Sequence, residues 1–100
     1  MRDGKKKIES EITKLWTRLA ATGGMLKGTV SKVVSGKRAD GSGGRESHLL
    51  TYKGEGNKTR TVYVSKPRVA EARRMIANYQ RARRTLEKIV ELNVRLFKME

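Results

Sequence analysis

The sequence contains no cysteine and only one histidine, His48. Without thiols the chain can form no disulfide bond, thiolate zinc site or cysteine nucleophile, and one imidazole cannot serve a site that needs two. Acidic residues are also few, at 10 against 24 lysines and arginines, which gives a formal net charge of +14 over 100 residues. We therefore expect no enzyme, no metal and no cofactor, and we expect a polyanionic partner.

Long apolar runs are absent as well. No segment approaches the ~18 consecutive apolar residues of a membrane-spanning helix, and the N-terminus runs from Arg2 through Lys7 into an amphipathic segment without the apolar region of a secretion signal. These features predict a cytoplasmic protein with no membrane partner. The length suits one small domain with a modest core.

Hydrophobic periodicity predicts an α+β fold, with a short N-terminal helix, a three-stranded antiparallel sheet and a long C-terminal helix. The first apolar pattern has the spacing of one helical face and is followed by Gly23 and Gly24, which end a helix well. Three β-rich runs follow, and a glycine-rich segment with few apolar residues separates the first two, which predicts a flexible basic loop. The predicted elements are a helix over 8–22, a sheet over 28–65 with its flexible loop at 36–47, and a helix over 67–99.

The C-terminal helix is too long for a compact domain of this size. Pro67 suits a first helical turn, and no glycine or proline follows it. About 33 residues at 1.5 Å each span roughly 50 Å, whereas a 100-residue globule with a radius of gyration near 13 Å is only about 35 Å across. The helix must therefore project beyond the body.

Apolar residues follow a heptad spacing along this helix, and beyond Leu86 their arc widens to about 200°. One short helix cannot cover that arc, so we expect helix one to cover part and a second copy, or another protein, to cover the rest. Asn93 occupies a core heptad position, where its symmetry mate in a parallel two-stranded coil would satisfy the amide. The alternative is a monomer whose helix end frays. The predicted interface comprises Leu86, Ile89, Val90, Leu92, Asn93, Leu96 and Phe97.

Basic residues form two candidate binding sets. Four arginines of the long helix fall within a stripe about 100° wide, and Ala70 and Ala77 between them leave room for a sugar-phosphate backbone. The alternative is an ordinary solvated face. A second set belongs to the loop and the hairpin, where the alternative is a simple flexible connection. The predicted nucleic-acid-binding residues are Arg73, Arg74, Arg81 and Arg84 on the helix, with Lys37, Arg38, Arg45, Lys58 and Arg60 around the sheet.

The few aromatic side chains are assigned from their patterns. Trp16 and Phe97 lie on apolar helical stripes, which predicts that both belong to the core. Tyr63 alternates with threonines on a strand, where it can pack against Tyr52 or stack on a base, and the pattern favours packing.

Four short segments and the helix that follows them are the basis of a sequence resemblance to a protein family. They read GTV at 28–30, GKR at 36–38, SHLLTY at 47–52 and KTRTVYV at 58–64, before an arginine-rich helix from Val69. Over about residues 25–97 the chain resembles a family of short, uncharacterised prokaryotic proteins often met near transposases and other mobile elements. Many relatives carry a cysteine knuckle in the region matching 36–48, which is absent here, so metal binding is not implied. The resemblance implies a mobile-element context, which suits a nucleic-acid partner.

The sequence as a whole predicts a non-enzymatic accessory protein that grips the phosphate backbone of DNA or structured RNA. We expect it to act as a homodimer or as a subunit of a larger nucleoprotein complex. The alternative function is that of a protein-interaction subunit, docked through its C-terminal helix onto a larger nuclease, transposase or reverse transcriptase.

Overall fold

A computed structural model describes residues 2–99 and shows an α+β architecture, as predicted. The three strands form one antiparallel sheet in the order β1-β2-β3. It lies in the chain between a short helix and a long one. The elements are α1 (Arg2–Ala20), β1 (Thr29–Lys37), β2 (Gly43–Lys53), β3 (Thr59–Val64) and α2 (Val69–Lys98), with 3-10 turns at Glu55–Asn57 and Lys66–Arg68.

Helix α1 begins six residues earlier than the predicted 8–22 and ends two residues sooner. The lysine run at 5–7 is helical because lysine is a good helix former that needs no burial. The end is closed by backbone hydrogen bonds from Ala21 to Thr17 and from Thr22 to Leu19, both 3.1 Å.

The prediction of a flexible loop over 36–47 is wrong. Strands β1 and β2 stay paired out to Lys37 and Gly43, so that only residues 38–42 connect them. The Arg38 amide donates to the Ser42 carbonyl oxygen at 2.9 Å, and the Asp40 carboxylate accepts from the Ser42 amide and hydroxyl at 2.9 and 2.6 Å. The glycine-rich segment thus forms a closed turn between the two strands. Hydrogen bonds that Asp40 accepts stabilise this turn.

The β1–β2 hairpin extends beyond the three-stranded part of the sheet. Strand β3 pairs only with residues 48–53 of β2, whereas β1 pairs with β2 along nearly its whole length. Residues 33–47 therefore form a projecting two-stranded arm, called here the ribbon. Its five residues per strand reach about 16 Å from the sheet.

One face of the sheet packs on the first half of α2. Strand pairing aligns Val30, Leu50 and Val62 on that face. Leu50 of the sheet and Ala72 of the helix are both buried. A groove of about 490 Å³ remains open between the sheet and the helix. The Leu26 amide closes one side by donating to the Met75 carbonyl oxygen at 3.1 Å.

Helix α1 packs antiparallel on the second half of α2. Gly4 lies against the Met99 side chain at one end, and Gly24, just after α1, is bonded to Asn78 at the other. This contact buries Ile89 and Leu92, which are 2% and 9% exposed. The two residues are therefore unavailable to a second molecule, and their assignment to an intermolecular interface is wrong. The remaining candidates for that interface are Leu86, Val90, Asn93, Leu96 and Phe97.

Three aromatic assignments are also corrected. Trp16 is 49% exposed, and Phe97 and Tyr63 are each 81% exposed. Trp16 and Phe97 are not core residues because α1 and α2 meet along only one flank of each apolar stripe. Tyr63 does not pack against Tyr52 because the strand register places the two side chains on opposite faces of the sheet.

The molecule is elongated, with extents of 73 × 27 × 19 Å and a radius of gyration of 20.7 Å. A compact chain of this length has a radius of gyration near 13 Å. The 30 residues of α2 account for about 45 Å of the long axis. None of the helices within residues 2–99 is both long enough and apolar enough to cross a membrane.

Candidate nucleic-acid interface

The four predicted arginines of α2 are all exposed. Their mean direction lies about 150° around the helix from Ala72, which is buried under the sheet. Lys88 and Arg95 continue the same face, and both are exposed. The α2 stripe, as we call it, therefore faces away from the sheet and consists of Arg73, Arg74, Arg81, Arg84, Lys88 and Arg95.

The α2 stripe contains a seven-residue repeat of cations, at Arg74, Arg81, Lys88 and Arg95. Successive members are about 10.5 Å apart along the axis and turn by about 20°, so the row extends over roughly 32 Å. Glu91 borders this row, and Glu71 and Glu87 lie outside it. The row is thus a nearly continuous line of positive charge.

One member of the stripe is held by its neighbours. The Arg81 guanidinium donates to the Asn78 side-chain oxygen, and the Asn78 amide donates to the Gly24 carbonyl oxygen at 3.0 Å. A cation on α2 is thereby oriented by the segment that links α1 to β1.

Helix α1 adds two cations that lie outside the predicted binding sets. Lys14 and Arg18 line a groove of about 700 Å³ between the helices, opposite Lys88 and Arg95. The acids Glu11, Glu87 and Glu91 also line it, so its charge is mixed. The available signal was the four-residue spacing of Lys14 and Arg18 on the side of α1 opposite Trp16.

The structure does not bring the predicted cations of the sheet region together in one binding surface. Arg38 lies at the tip of the ribbon and Arg45 along it, whereas Arg60 pairs with Tyr52 near the far end of β2. Seven strand residues, about 23 Å, separate Arg45 from Tyr52. Lys58 precedes β3 at that far end. Lys37 ends β1, and its side chain lies outside the described part of the structure.

A hollow of about 210 Å³ lies where the ribbon leaves the sheet. It is lined by two cations, Arg45 and Lys66, by one acid, Glu46, and by Ser47 and Ser65. The exposed ring of Tyr63 borders it. Cations, hydroxyls and an aromatic ring are the groups that contact phosphates and bases in nucleic-acid complexes.

Two carboxylates pair with cations that lie outside the predicted binding sets. Glu46 is 3.0 Å from Lys32, and the hydrogen bond and charge of Lys32 lower the pKa of Glu46. Glu71 is 3.0 Å from Arg68, whose hydrogen bond lowers the pKa of Glu71 while Glu71 raises that of Arg68. Both carboxylates are thus engaged by Lys32 and Arg68, and the charge of Arg74 in the α2 stripe contributes further to the lowered pKa of Glu71.

Within the described residues, no three histidine, aspartate or glutamate side chains cluster as metal ligands. Comparisons with protein-family models, curated proteins and solved structures find no match to this chain. The resemblance drawn from the sequence therefore stays a prediction.

Proposed function

We propose that this protein is a non-enzymatic accessory protein that binds the phosphate backbone of DNA or structured RNA. One observation carries the proposal, namely the exposed cations that recur every seventh residue along the outward face of α2. Lys14 and Arg18 widen this basic surface at the groove between the helices. We include in the proposal the mobile-element context that the sequence resemblance implies.

The chemistry of the stripe suits the phosphate groups of a nucleic acid. Guanidinium groups bind phosphate oxygens with two parallel hydrogen bonds. Ala70 is exposed and Ala77 half-buried between the arginines, so the backbone of a nucleic acid can approach the helix closely. Contacts of this kind give affinity that depends little on sequence. The ribbon and the hollow beside Tyr63 offer a second, separate contact surface.

Salt dependence tests the proposal directly. If about six cations meet phosphates, log affinity should fall against log salt with a slope near −5 on duplex DNA. The measurement is fluorescence anisotropy with a labelled duplex and a labelled RNA hairpin between about 50 and 200 mM salt. A slope between zero and −1 on both would contradict phosphate binding.

A charge-matched pair of variants tests the location. Arg74→Gln with Arg84→Gln removes two stripe cations and should reduce the slope by about 2, with a loss of affinity on the order of tenfold or more. Lys6→Gln with Lys27→Gln removes the same charge from exposed positions elsewhere and should change binding much less. Equal effects would mean that binding follows net charge and not the stripe.

A further inference from the structure

The layer formed by α1 and α2 has two unlike sides. Lys14, Arg18, Lys88 and Arg95 line the groove on one side. The opposite side carries an apolar row on α2 that no part of residues 2–99 covers. The row comprises Leu86, Val90, Val94 and Phe97, which are 45%, 50%, 41% and 81% exposed.

The half-exposed Trp16 belongs to this apolar side as well. Each residue turns a helix by 100°, so Trp16 lies about 160° from both Lys14 and Arg18 on α1. Val90 lies about 160° from Lys88 on α2. Both helices therefore present apolar side chains on the side opposite this charged groove. Exposed apolar patches of this kind mark interaction sites.

We propose that a second copy of this chain covers the apolar row, forming an antiparallel dimer in which two α1–α2 pairs make a four-helix bundle. The grooves lined by Lys14, Arg18, Lys88 and Arg95 would then lie on the two outer sides of the bundle. This inference goes beyond the proposed function, because the dimer forms without nucleic acid.

Charge favours a second copy as the occupant. The chain carries +14, yet residues 85–100 have no net charge, so this end can approach its own copy without strong repulsion. The middle of this face is occupied by Leu86, Val90, Asn93 and Phe97, with spacings of 4, 3 and 4, whereas Val94 of the apolar row lies about 70° to one side of their mean direction. That order is the same in both directions, so an antiparallel pair sets Leu86 against the partner's Phe97.

The position of the sheet decides the orientation. Ala72 and Val90 are 18 residues apart, which is five full turns, so the sheet covers the same side of α2 that bears the apolar row further along. In a parallel pair the two sheets would compete for the same space between the helices. In an antiparallel pair each sheet lies beyond the end of the partner's helix.

Three other features agree with the antiparallel arrangement. It separates the segments 23–66 and 67–84, which carry +6 and +5 in each chain. It also sets Arg83 near the C-terminal end of the partner's α2, where the helix dipole is negative. The two Asn93 residues lie about 4.5 Å apart along the axis, where their amides can pair. Both copies of Trp16 then face the bundle interior.

Sedimentation equilibrium of nuclease-treated protein at tens of micromolar tests the dimer. We expect twice the chain mass of 11.3 kDa, and Val90→Lys should reduce it to that of one chain. Val34→Lys is the matched control, because Val34 is 40% exposed on the ribbon and should leave the dimer intact. Circular dichroism verifies that each variant is folded. A wild-type mass of one chain would overturn the proposal.

Cross-linking tests the orientation, since the absence of native cysteine allows single thiols to be placed. Glu87→Cys and Lys98→Cys chains, mixed and treated with a short bismaleimide, should link to each other and not to themselves. In the antiparallel pair, residue 87 of one chain and residue 98 of its partner lie on the same flank and about 3 Å apart along the helix axis. The two copies of residue 87 are instead about 13 Å apart along that axis. Predominant self-linking of Glu87→Cys would overturn the antiparallel orientation.

Discussion

Asn78 on α2 donates a hydrogen bond to the carbonyl oxygen of Gly24, 54 positions earlier in the chain. The contact ties the middle of the long helix to the segment between α1 and β1. The oxygen of the same side chain accepts from Arg81. One amide therefore joins the packing of the fold to the orientation of a basic side chain.

Replacing Asn78 should weaken both connections. Asn78→Ala removes a hydrogen bond to the backbone and is expected to cost about 0.5–1.5 kcal/mol in urea unfolding. Gln80→Ala, at an exposed position one residue before Arg81, is the control and should stay within about 0.5 kcal/mol of wild type. Equal stability of the two variants would show that the contact with Gly24 contributes nothing in solution.

A tight backbone approach at Gly28 gives a second prediction. Its φ is +110°, and a side chain there would put Cβ 2.1 Å from the Thr51 carbonyl oxygen on the neighbouring strand. Gly28→Ala should therefore destabilise the protein by at least about 3 kcal/mol, because both the backbone strain and the clash must be relieved.

The control for Gly28 is Gly41 in the ribbon turn. Gly41 has a similarly positive φ of +85°, but nothing lies within 4 Å of an added Cβ. Gly41→Ala should thus lower the free energy of unfolding only by the backbone strain, which is about 1 kcal/mol or slightly more. Thermal melts of both variants measure the difference, and equal losses would contradict the close approach of Gly28 to β2.

Sequence reasoning predicted what depends on local periodicity. The alternation around Val30 and the heptads of α2 gave the fold class, because burying one face of each element requires those repeats. It could not predict which apolar residues of α2 contact α1, since Leu86 and Ile89 share one stripe and only their neighbours distinguish them. It also misassigned 36–47, because a glycine-rich segment becomes a turn or a loop according to hydrogen bonds such as those of Asp40.

The ion pair between Lys32 and Glu46 at the base of the ribbon should make this arm sensitive to acid. Lys32 lowers the pKa of Glu46 below its ordinary value of 4.5. The pair therefore stabilises the folded state fully at pH values above 4.5. The stabilisation is lost as the pH falls below 4.5 through the lowered pKa of the folded state. Amide chemical shifts of the ribbon, recorded from pH 6 to pH 3, should report the loss of this pair.

Variants separate Glu46 from other acids in that titration. Glu46→Gln should remove the pair at every pH and flatten the response of the neighbouring strand residues. Glu55→Gln changes a carboxylate in the 3-10 turn between β2 and β3, remote from the ribbon, and should leave the response unchanged. An unaltered titration in Glu46→Gln would mean that another group is responsible.

Leu86 and Ile89 are three residues apart on α2 but should respond differently to truncation. Ile89 is 2% exposed beneath α1, so Ile89→Ala leaves a cavity within each chain and should cost about 2–5 kcal/mol. Leu86 is 45% exposed in the single chain, so Leu86→Ala alone removes fewer contacts and should cost about 1 kcal/mol. In the proposed dimer Leu86 is covered by the partner, and its truncation then weakens association as well.

Protein concentration therefore distinguishes the two variants. Unfolding midpoints measured at about 1 and 100 μM should differ for wild type, because dimerisation stabilises the folded state by mass action. The deficit of Leu86→Ala relative to wild type should grow with concentration, whereas Ile89→Ala should be strongly destabilised at both. If Leu86→Ala lowers the unfolding midpoint by the same amount at both concentrations, Leu86 faces solvent in the native state and the apolar row does not form the dimer interface.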